Sequence, residues 1–150
     1  MGMYTKFSVV IPIKRETPKE IQEVLVDLVE NAGYKLDNGG PPKLNHKFFE
    51  SDYFSAQCDS YYFTGTHNSA VKYSHEFEEE HRLVLHIDCD FKNYEDNINL
   101  FLDFVAPYID IEDMWQPIFL GYSLYEEDLN PTLYYVNDKH EILKFTPKNL

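Results

Sequence analysis

The sequence predicts an α+β fold, a two-layer sandwich in which two helices cover one face of a mostly antiparallel sheet. Three observations predict it. Several segments alternate apolar and polar residues with a period of two, as half-buried strands do. Two other segments carry a helical apolar stripe, and most of the strands are joined by short turns, which favours antiparallel pairing. The expected order of elements is β-α-β-β-β-α-β-β-β, with a ferredoxin-like βαβ unit as one possible core.

Length and composition indicate one globular domain over residues 1–150. The chain is 43% hydrophobic and 16% aromatic, which is enough for a hydrophobic core without a metal or a disulfide framework. No apolar run reaches the roughly 18 residues that a membrane span needs. The two cysteines form no zinc-binding or disulfide pattern. We therefore expect a cytoplasmic protein that contacts no membrane and holds no cofactor.

The first strand and the first helix follow from the N-terminal 33 residues. Residues 4–13 alternate apolar side chains on one face and are predicted to form a strand. Thr17, Pro18 and Glu20 together predict a capping box at a helix start, and Gly33 predicts its end. The apolar stripe of this helix consists of Ile21, Val24, Leu25, Leu28 and Val29.

Residues 48–63 are dense in aromatic side chains and follow the breaker cluster of residues 38–42. We predict a short strand around 59–64 and an ordered loop anchored by aromatic rings elsewhere, because a long structureless connection is uncommon in a compact domain. One interpretation, which we favour, is that the rings close the open end of the core. The other is a ligand groove. Its candidate residues are Phe49, Tyr53 and Tyr61 from this segment, with His86 from the next hairpin.

Residues 69–77 and 82–91 are predicted to form a hairpin. Placing their apolar rows on one face puts Phe77 opposite Leu83, because residues that face each other in an antiparallel pair share a face. The same register places Lys72 opposite Asp88 and Ser74 opposite His86.

The second helix is predicted to start at Asn93, a favourable cap, and to end at Pro107. Its apolar stripe consists of Ile98, Phe101, Leu102 and Val105. Residues 117–125, 132–136 and 141–145 are then predicted to form three further strands, separated by turns.

The acidic excess lies in one part of the chain. The sequence has 26 acidic and 13 basic residues, a formal net charge of −13. Residues 76–128 contain fifteen acids against Arg82 and Lys92, which accounts for the whole excess. Such a surface would repel a phosphate backbone, so direct nucleic-acid binding is not expected. It would attract a basic protein surface instead.

Two patterns in residues 74–90 could be mistaken for a chemical site. On a strand, His86, Asp88 and Asp90 point to the same side and could hold a hard divalent ion. Cross-strand partners explain the same residues without a metal, so we expect no metal site. Ser74, His86 and Asp88 imitate a catalytic triad but lack an oxyanion hole. The acidic run 126–128 could bind a cation weakly, but we interpret it as a solvated turn.

The favoured function is a small, acidic, non-enzymatic protein-binding domain whose partner presents a basic surface. It could act as an inhibitor or immunity-type protein, or as a mimic of nucleic-acid charge. The predicted contact residues are Glu78, Glu79, Glu80, Asp88, Asp90, Asp110, Glu112 and Asp113. Two alternatives remain open. One is a metal- or ligand-binding domain or enzyme that uses the aromatic loop 48–63 with His86, Asp88 and Asp90. The other is an oligomeric scaffold, so the chain is expected to be a monomer or a homodimer.

Overall fold

The structure is a computed structural model that describes residues 3–31, 44–50, 54–63, 65–77, 80–112 and 115–148. Two α-helices and six strands are found in these ranges. The strands and helices, in chain order, are β1 Thr5–Pro12, α1 Lys19–Glu30, β2 Ala70–Phe77, β3 Glu80–Phe91, α2 Asn97–Val105, β4 Ile118–Tyr125, β5 Thr132–Val136 and β6 Ile142–Phe145. No helix in the described ranges is both long enough and apolar enough to cross a membrane.

The strands form one sheet in the order β2-β3-β1-β4-β5-β6, and every neighbouring pair is antiparallel. The predicted α+β class is therefore confirmed. From β1 to β4 the elements follow the β-α-β-β-α-β order of a ferredoxin-like unit, with β3 inserted between β1 and β2. Strands β5 and β6 extend this unit beyond β4.

The core lies between the sheet and the helices, on one face of the sheet. Alternation along β1 buries Phe7, Val9 and Ile11 on that face. The ring of Phe7 meets the ring of Phe101 from α2 edge-on, with 6.2 Å between their centroids. The apolar stripe of α1 belongs to the same buried cluster. Both helices therefore cover the same face, as predicted, and the other face of the sheet is not covered by them.

The start of α1 differs from the prediction. The helix begins at Lys19 after Pro18, and no side-chain hydrogen bond caps it. Thr17 is buried and its hydroxyl makes no hydrogen bond, so the predicted capping box is wrong. The side-chain amide of Gln22 instead donates to the Thr17 carbonyl at 2.7 Å. The predicted stop, Gly33, lies outside the described residues.

The predicted cap of α2 is present in a modified form. The Asn93 side-chain oxygen accepts a hydrogen bond from the Ile98 backbone N–H at 2.9 Å. Between them, Tyr94–Asp96 form a 3-10 turn in which Glu95 and Asp96 adopt left-handed φ angles of 59° and 61°. The predicted stripe of α2 is buried, so the helix itself is confirmed.

The hairpin of β2 and β3 has the predicted faces but a different register. Tyr73 lies opposite Leu83 and Lys72 opposite Val84. The predicted pairs of Lys72 with Asp88 and of Ser74 with His86 are therefore wrong, and so is that of Phe77 with Leu83, because Phe77 pairs with Glu80. Between Ala70 and His75 the register is displaced by four residues, and it shifts again between His75 and Phe77. An even displacement keeps the same residues on the core face.

The aromatic segment closes the core, and its described residues form no strand. Residues Lys47–Glu50 and Tyr61–Phe63 form 3-10 turns, so the strand predicted around 59–64 is wrong. Phe48, Phe49 and Phe54 are buried, which confirms the favoured interpretation for these three rings. Rings exposed to solvent follow at Tyr61 and Tyr62.

The same segment runs beside the last residues of β3. The Asp90 N–H donates to the Cys58 carbonyl at 3.1 Å, and the Asn68 N–H donates to the Asp88 carbonyl at 2.8 Å. These bonds occupy backbone groups of β3 that β2, which starts at Ala70, does not reach.

Gly121 lies where β4 and β1 approach each other most closely. A Cβ atom at this position would lie 2.0 Å from the Ser8 carbonyl oxygen and 2.7 Å from the Val9 Cα atom. Its φ of +150° is also one that side chains rarely allow. The pairing of β4 with β5 is irregular between Phe119 and Gly121, as a β-bulge produces.

Candidate functional site

The described acids of residues 76–128 do not share one surface, and two groups of them lie at opposite ends of the sheet. Thr5 pairs with Tyr125, so the acidic turn 126–128 is at the end where β1 begins. Asp110 donates its N–H to the Pro12 carbonyl at 2.9 Å, so residues 110–112 are at the end where β1 finishes. We refer to these as the Thr5 end and the Pro12 end.

Asp88 lies on the uncovered face of the sheet and is paired. Its carboxylate is 2.7 Å from the ammonium group of Lys6 on β1. The prediction that Lys72 neutralises Asp88 is corrected accordingly: the partner comes from the central strand, whose position next to β3 no local pattern indicates. Asp88 is therefore engaged within the chain, although part of its side chain remains exposed.

Asp110 is also held by the chain itself. Its carboxylate is 2.8 Å from the Arg82 guanidinium and accepts the Glu112 N–H at 3.1 Å. Burial alone would raise the pKa of Asp110, but these hydrogen bonds and the Arg82 charge hold it below its usual value.

Glu112 is exposed. Glu80 opens β3. The predicted contacts Glu78, Glu79 and Asp113 lie outside the described residues.

Asp90 is fully buried, with an exposed fraction of 0%. No hydrogen bond of ordinary geometry reaches its carboxylate oxygens, although Ser60 lies beside them. Burial raises the pKa of Asp90, while the neighbouring Ser60 and the charge of Lys6 oppose the rise. The structure thus leaves Asp90 no surface with which to contact a partner, and its ionised form destabilises the folded chain.

Replacing Asp90 by asparagine is expected to raise the free energy of unfolding at neutral pH by about 1 kcal/mol, because the uncharged amide is cheaper to bury. The folded chain favours the protonated carboxyl, so native Asp90 loses stability as the pH rises above the unfolded pKa of about 3.9. The gain of Asp90→Asn in the free energy of unfolding should therefore appear above about pH 3.9. It should become constant once the pH exceeds the raised pKa that Asp90 has in the folded chain. Thermal melts from acid to neutral pH would measure it.

Asp88→Asn is the matched control for this prediction, since it removes the same charge two residues away but breaks the ion pair with Lys6. It should lower the melting temperature slightly or leave it unchanged. A lower melting temperature for Asp90→Asn than for Asp88→Asn at neutral pH would contradict the interpretation of Asp90.

The residues of the alternative ligand site are not brought together. Phe49 is buried against Phe104 on the helix side of the sheet. His86 lies opposite Val10 on the uncovered face, where burial first, and then the Lys72 charge, lower its pKa. Tyr61 is fully exposed, and Tyr53 lies outside the described residues. Within the described part of the chain, no three His, Cys, Asp or Glu side chains are placed to hold a metal ion.

A cleft of about 400 Å³ opens at the Thr5 end. Tyr125 comes from the end of β4, Asp128 from the turn after it, and Tyr94 from the 3-10 turn before α2. The remaining lining residues are Met3, Thr5, Asn93, Ser123 and Thr132. The lining therefore combines one carboxylate, two phenol rings and several hydroxyls, and none of the described residues that form it is basic.

Several acidic side chains lie in and beside this cleft. Partial burial raises the pKa of the Tyr125 phenol, and the carboxylates of residues 126–128 raise it further. Glu95 and Asp96, beside Tyr94, are exposed on the same turn. The ammonium group of Lys92 lies over the Tyr4 ring, 5.8 Å from its centroid, and is not among the lining groups. The cleft offers anionic and aromatic contacts to a cation.

Two features hold the cleft in shape. The hydroxyls of Ser123 and Tyr134 are 2.7 Å apart and hydrogen bonded beneath it. The Asp128 N–H donates to the Tyr125 carbonyl at 2.9 Å and closes the turn. The sequence shows the acidic turn, but Tyr94 is some thirty residues away from it, and only the strand order brings the two segments together.

Comparison with known proteins identifies no relative. No protein-family model matches the chain, and no curated protein or solved structure is similar to it. The cleft and the surfaces of the sheet are therefore the basis for assigning a function.

Proposed function

We propose that the chain is a protein-binding domain that takes a basic segment of its partner into the cleft at the Thr5 end. The observation that carries the proposal is the lining of the cleft, in which Tyr94, Tyr125 and Asp128 converge without a basic residue. An arginine or lysine side chain suits such a lining, because it can stack on a phenol ring while its charge meets a carboxylate.

The charge of the whole chain supports the same partner. With a net charge of −13, the chain attracts cationic proteins over several ångströms and speeds their encounter. Such a partner could be a protein that uses its basic groove to bind nucleic acid. The chain would then act as an inhibitor or immunity-type protein that occupies this groove in place of the phosphates.

The contribution to binding of Asp128 in the cleft, and of Glu126 and Glu127 beside it, can be tested with a fluorescently labelled octa-arginine peptide. Combining Glu126→Gln, Glu127→Gln and Asp128→Asn is expected to weaken binding about tenfold or more at low salt, since three carboxylates near the site are lost. Fluorescence anisotropy at low and at physiological salt measures the change. Binding by the native chain should weaken as salt is added.

A matched control removes three exposed acids far from the cleft, by Glu16→Gln, Glu20→Gln and Glu50→Gln. Both triple variants have the same net charge, so general attraction is equal in the two. An equal loss of affinity in both would overturn the cleft as the binding site. Tyr94→Ala leaves the net charge of the chain unchanged. This variant should also weaken binding, because the phenol ring contacts the cation in the proposed complex.

A third triple variant, Glu78→Gln, Glu79→Gln and Glu112→Gln, removes the same charge from a different part of the chain. Glu78, Glu79 and Glu112 belong to the contact set predicted from the sequence. A larger effect here than at residues 126–128 would move the binding site to this predicted contact set and would exclude the cleft.

A further inference from the structure

We propose that two copies of the chain pack against each other through the uncovered face of β4, β5 and β6. The side chains of these strands that point away from the helices are Phe119, Tyr122, Leu124, Leu133, Tyr135, Leu143 and Phe145. We call this set the apolar face. All seven residues are aromatic or aliphatic, and none is charged, in a chain with a net charge of −13.

The apolar face follows from the pairing of the strands. Tyr134 and Val136 are buried on the helix side, so their neighbours Leu133 and Tyr135 must point to the other side. Leu133 lies opposite Phe145 and Tyr135 opposite Leu143. The rings of Phe119 and Tyr135 are in contact, with 5.3 Å between their centroids.

The apolar face is open to solvent. Phe119 and Phe145 are 52% and 58% exposed. Trp115, at the end of the face, is 98% exposed and borders a cleft of about 830 Å³ with Phe119 and Tyr135. Taking roughly 200 Å² for a fully exposed aromatic side chain, the exposed parts of the apolar face and Trp115 come to roughly 600 Å². A patch of this size is at the upper end of what a monomeric protein exposes, and such patches often take part in binding.

The exposed area suits a second copy of the chain. Packing the apolar face of one copy on that of another would bury about 1,200 Å² in total, which is the lower bound of stable protein interfaces. A dimer of this kind is isologous, so each copy contributes the same residues and the interface closes on itself. The interface would be reversible, since its area is modest.

Charge also favours this face over others for self-association. Two copies repel each other wherever their acidic surfaces meet. The apolar face avoids this repulsion, because its only charged border on β1 is Lys6, which is neutralised by Asp88 at 2.7 Å. Added salt should therefore strengthen the dimer by screening the remaining repulsion. The basic-peptide binding proposed above must respond to salt in the opposite direction.

The test is the molar mass in solution from about 1 μM to about 1 mM, a range that brackets the affinity of a small interface. Sedimentation or light scattering should show the native chain passing from 17.8 kDa to twice this mass as concentration rises. The transition should move to lower concentration with added salt. A mass of 17.8 kDa at every concentration would overturn the proposal, even if the chain were found to bind lipid vesicles or another protein through this face.

Phe119→Asp is expected to keep the chain monomeric over the whole range, because it places a charge in the middle of the interface. Its matched control is Tyr73→Asp, on β2, where a ring of similar exposure (56%) is replaced by the same acid. The control should dimerise like the native chain. Equal loss of dimer in both variants would overturn the proposal.

Trp115→Ala provides a second variant that carries little risk of unfolding, since the ring is almost fully exposed. It should weaken the dimer about tenfold, because a tryptophan ring buried in an interface contributes a large part of the binding free energy. A dimer whose dissociation constant is unchanged by Trp115→Ala and by Phe119→Asp would show that copies associate elsewhere. This outcome leaves the acidic cleft unaffected, so the two proposals can fail independently.

Discussion

Replacing Gly121 by alanine is expected to lower the free energy of unfolding by about 3 kcal/mol or more. The new Cβ would lie 2.0 Å from the Ser8 carbonyl oxygen and 2.7 Å from the Val9 Cα atom. Both atoms belong to the backbone of β1, the central strand of the ferredoxin-like unit, so neither can move without disturbing the pairing of β1 with β3. Chemical denaturation followed by circular dichroism measures the loss.

Gly65→Ala separates this clash from the cost of backbone conformation alone. Gly65 has a φ of +69°, but its nearest contact for a Cβ is a Tyr61 ring carbon at 3.5 Å, which is an ordinary distance. We expect a loss of about 1 kcal/mol there, from the left-handed conformation alone. Equal losses at Gly65 and Gly121 would contradict the close approach of β4 to β1.

Replacing Phe54 by alanine is expected to lower the free energy of unfolding by about 3–5 kcal/mol, as the removal of a buried ring generally does. The Phe54 ring is stacked on Phe101 of α2 with 4.8 Å between centroids. It also meets the rings of Phe48 and Phe91 edge-on, each at 5.3 Å. Phe54 therefore links the aromatic segment to both the helix layer and the sheet. Urea unfolding curves of the purified variant measure the effect.

Tyr61→Ala is the control from the same segment, because Tyr61 is fully exposed. Its stability should stay within about 0.5 kcal/mol of the native chain. A loss below about 1 kcal/mol for Phe54→Ala would mean that the aromatic segment is not part of the core, and would reopen its interpretation as a ligand groove.

The faces of the elements could be predicted from the sequence, whereas the register could not. Alternation in β2 and β3 determines which side chains face the helices, and any even displacement of the hairpin preserves it. The apolar pattern does not choose among these registers, and the acidic residues after Phe77 indicate no particular turn type. Tyr73 therefore lies opposite Leu83 and not opposite Ile87, and both pairings keep the apolar rows on one face.

Contacts between strands that are distant in sequence account for the other differences between the sequence-based predictions and the structure. Lys6 neutralises Asp88 because β1 inserts beside β3, and Tyr94 joins the turn 126–128 because β1 also pairs with β4. Neither neighbour can be inferred from local patterns. The sequence shows that the acidic excess lies in residues 76–128. Its division between the two ends of the sheet depends on the strand order. The buried state of Asp90 likewise depends on the segment that lies beside β3.

The irregular segment that lies beside the last residues of β3 also helps the chain to avoid aggregation. A strand with unpaired N–H and C=O groups is a template on which another chain can add, and long strands are the most exposed to this risk. Strand β3 extends past the start of β2, but the bonds of Asp90 to Cys58 and of Asn68 to Asp88 occupy its backbone there. An irregular stretch of polypeptide thus shields the longest strand from amyloid-like growth without lengthening the sheet.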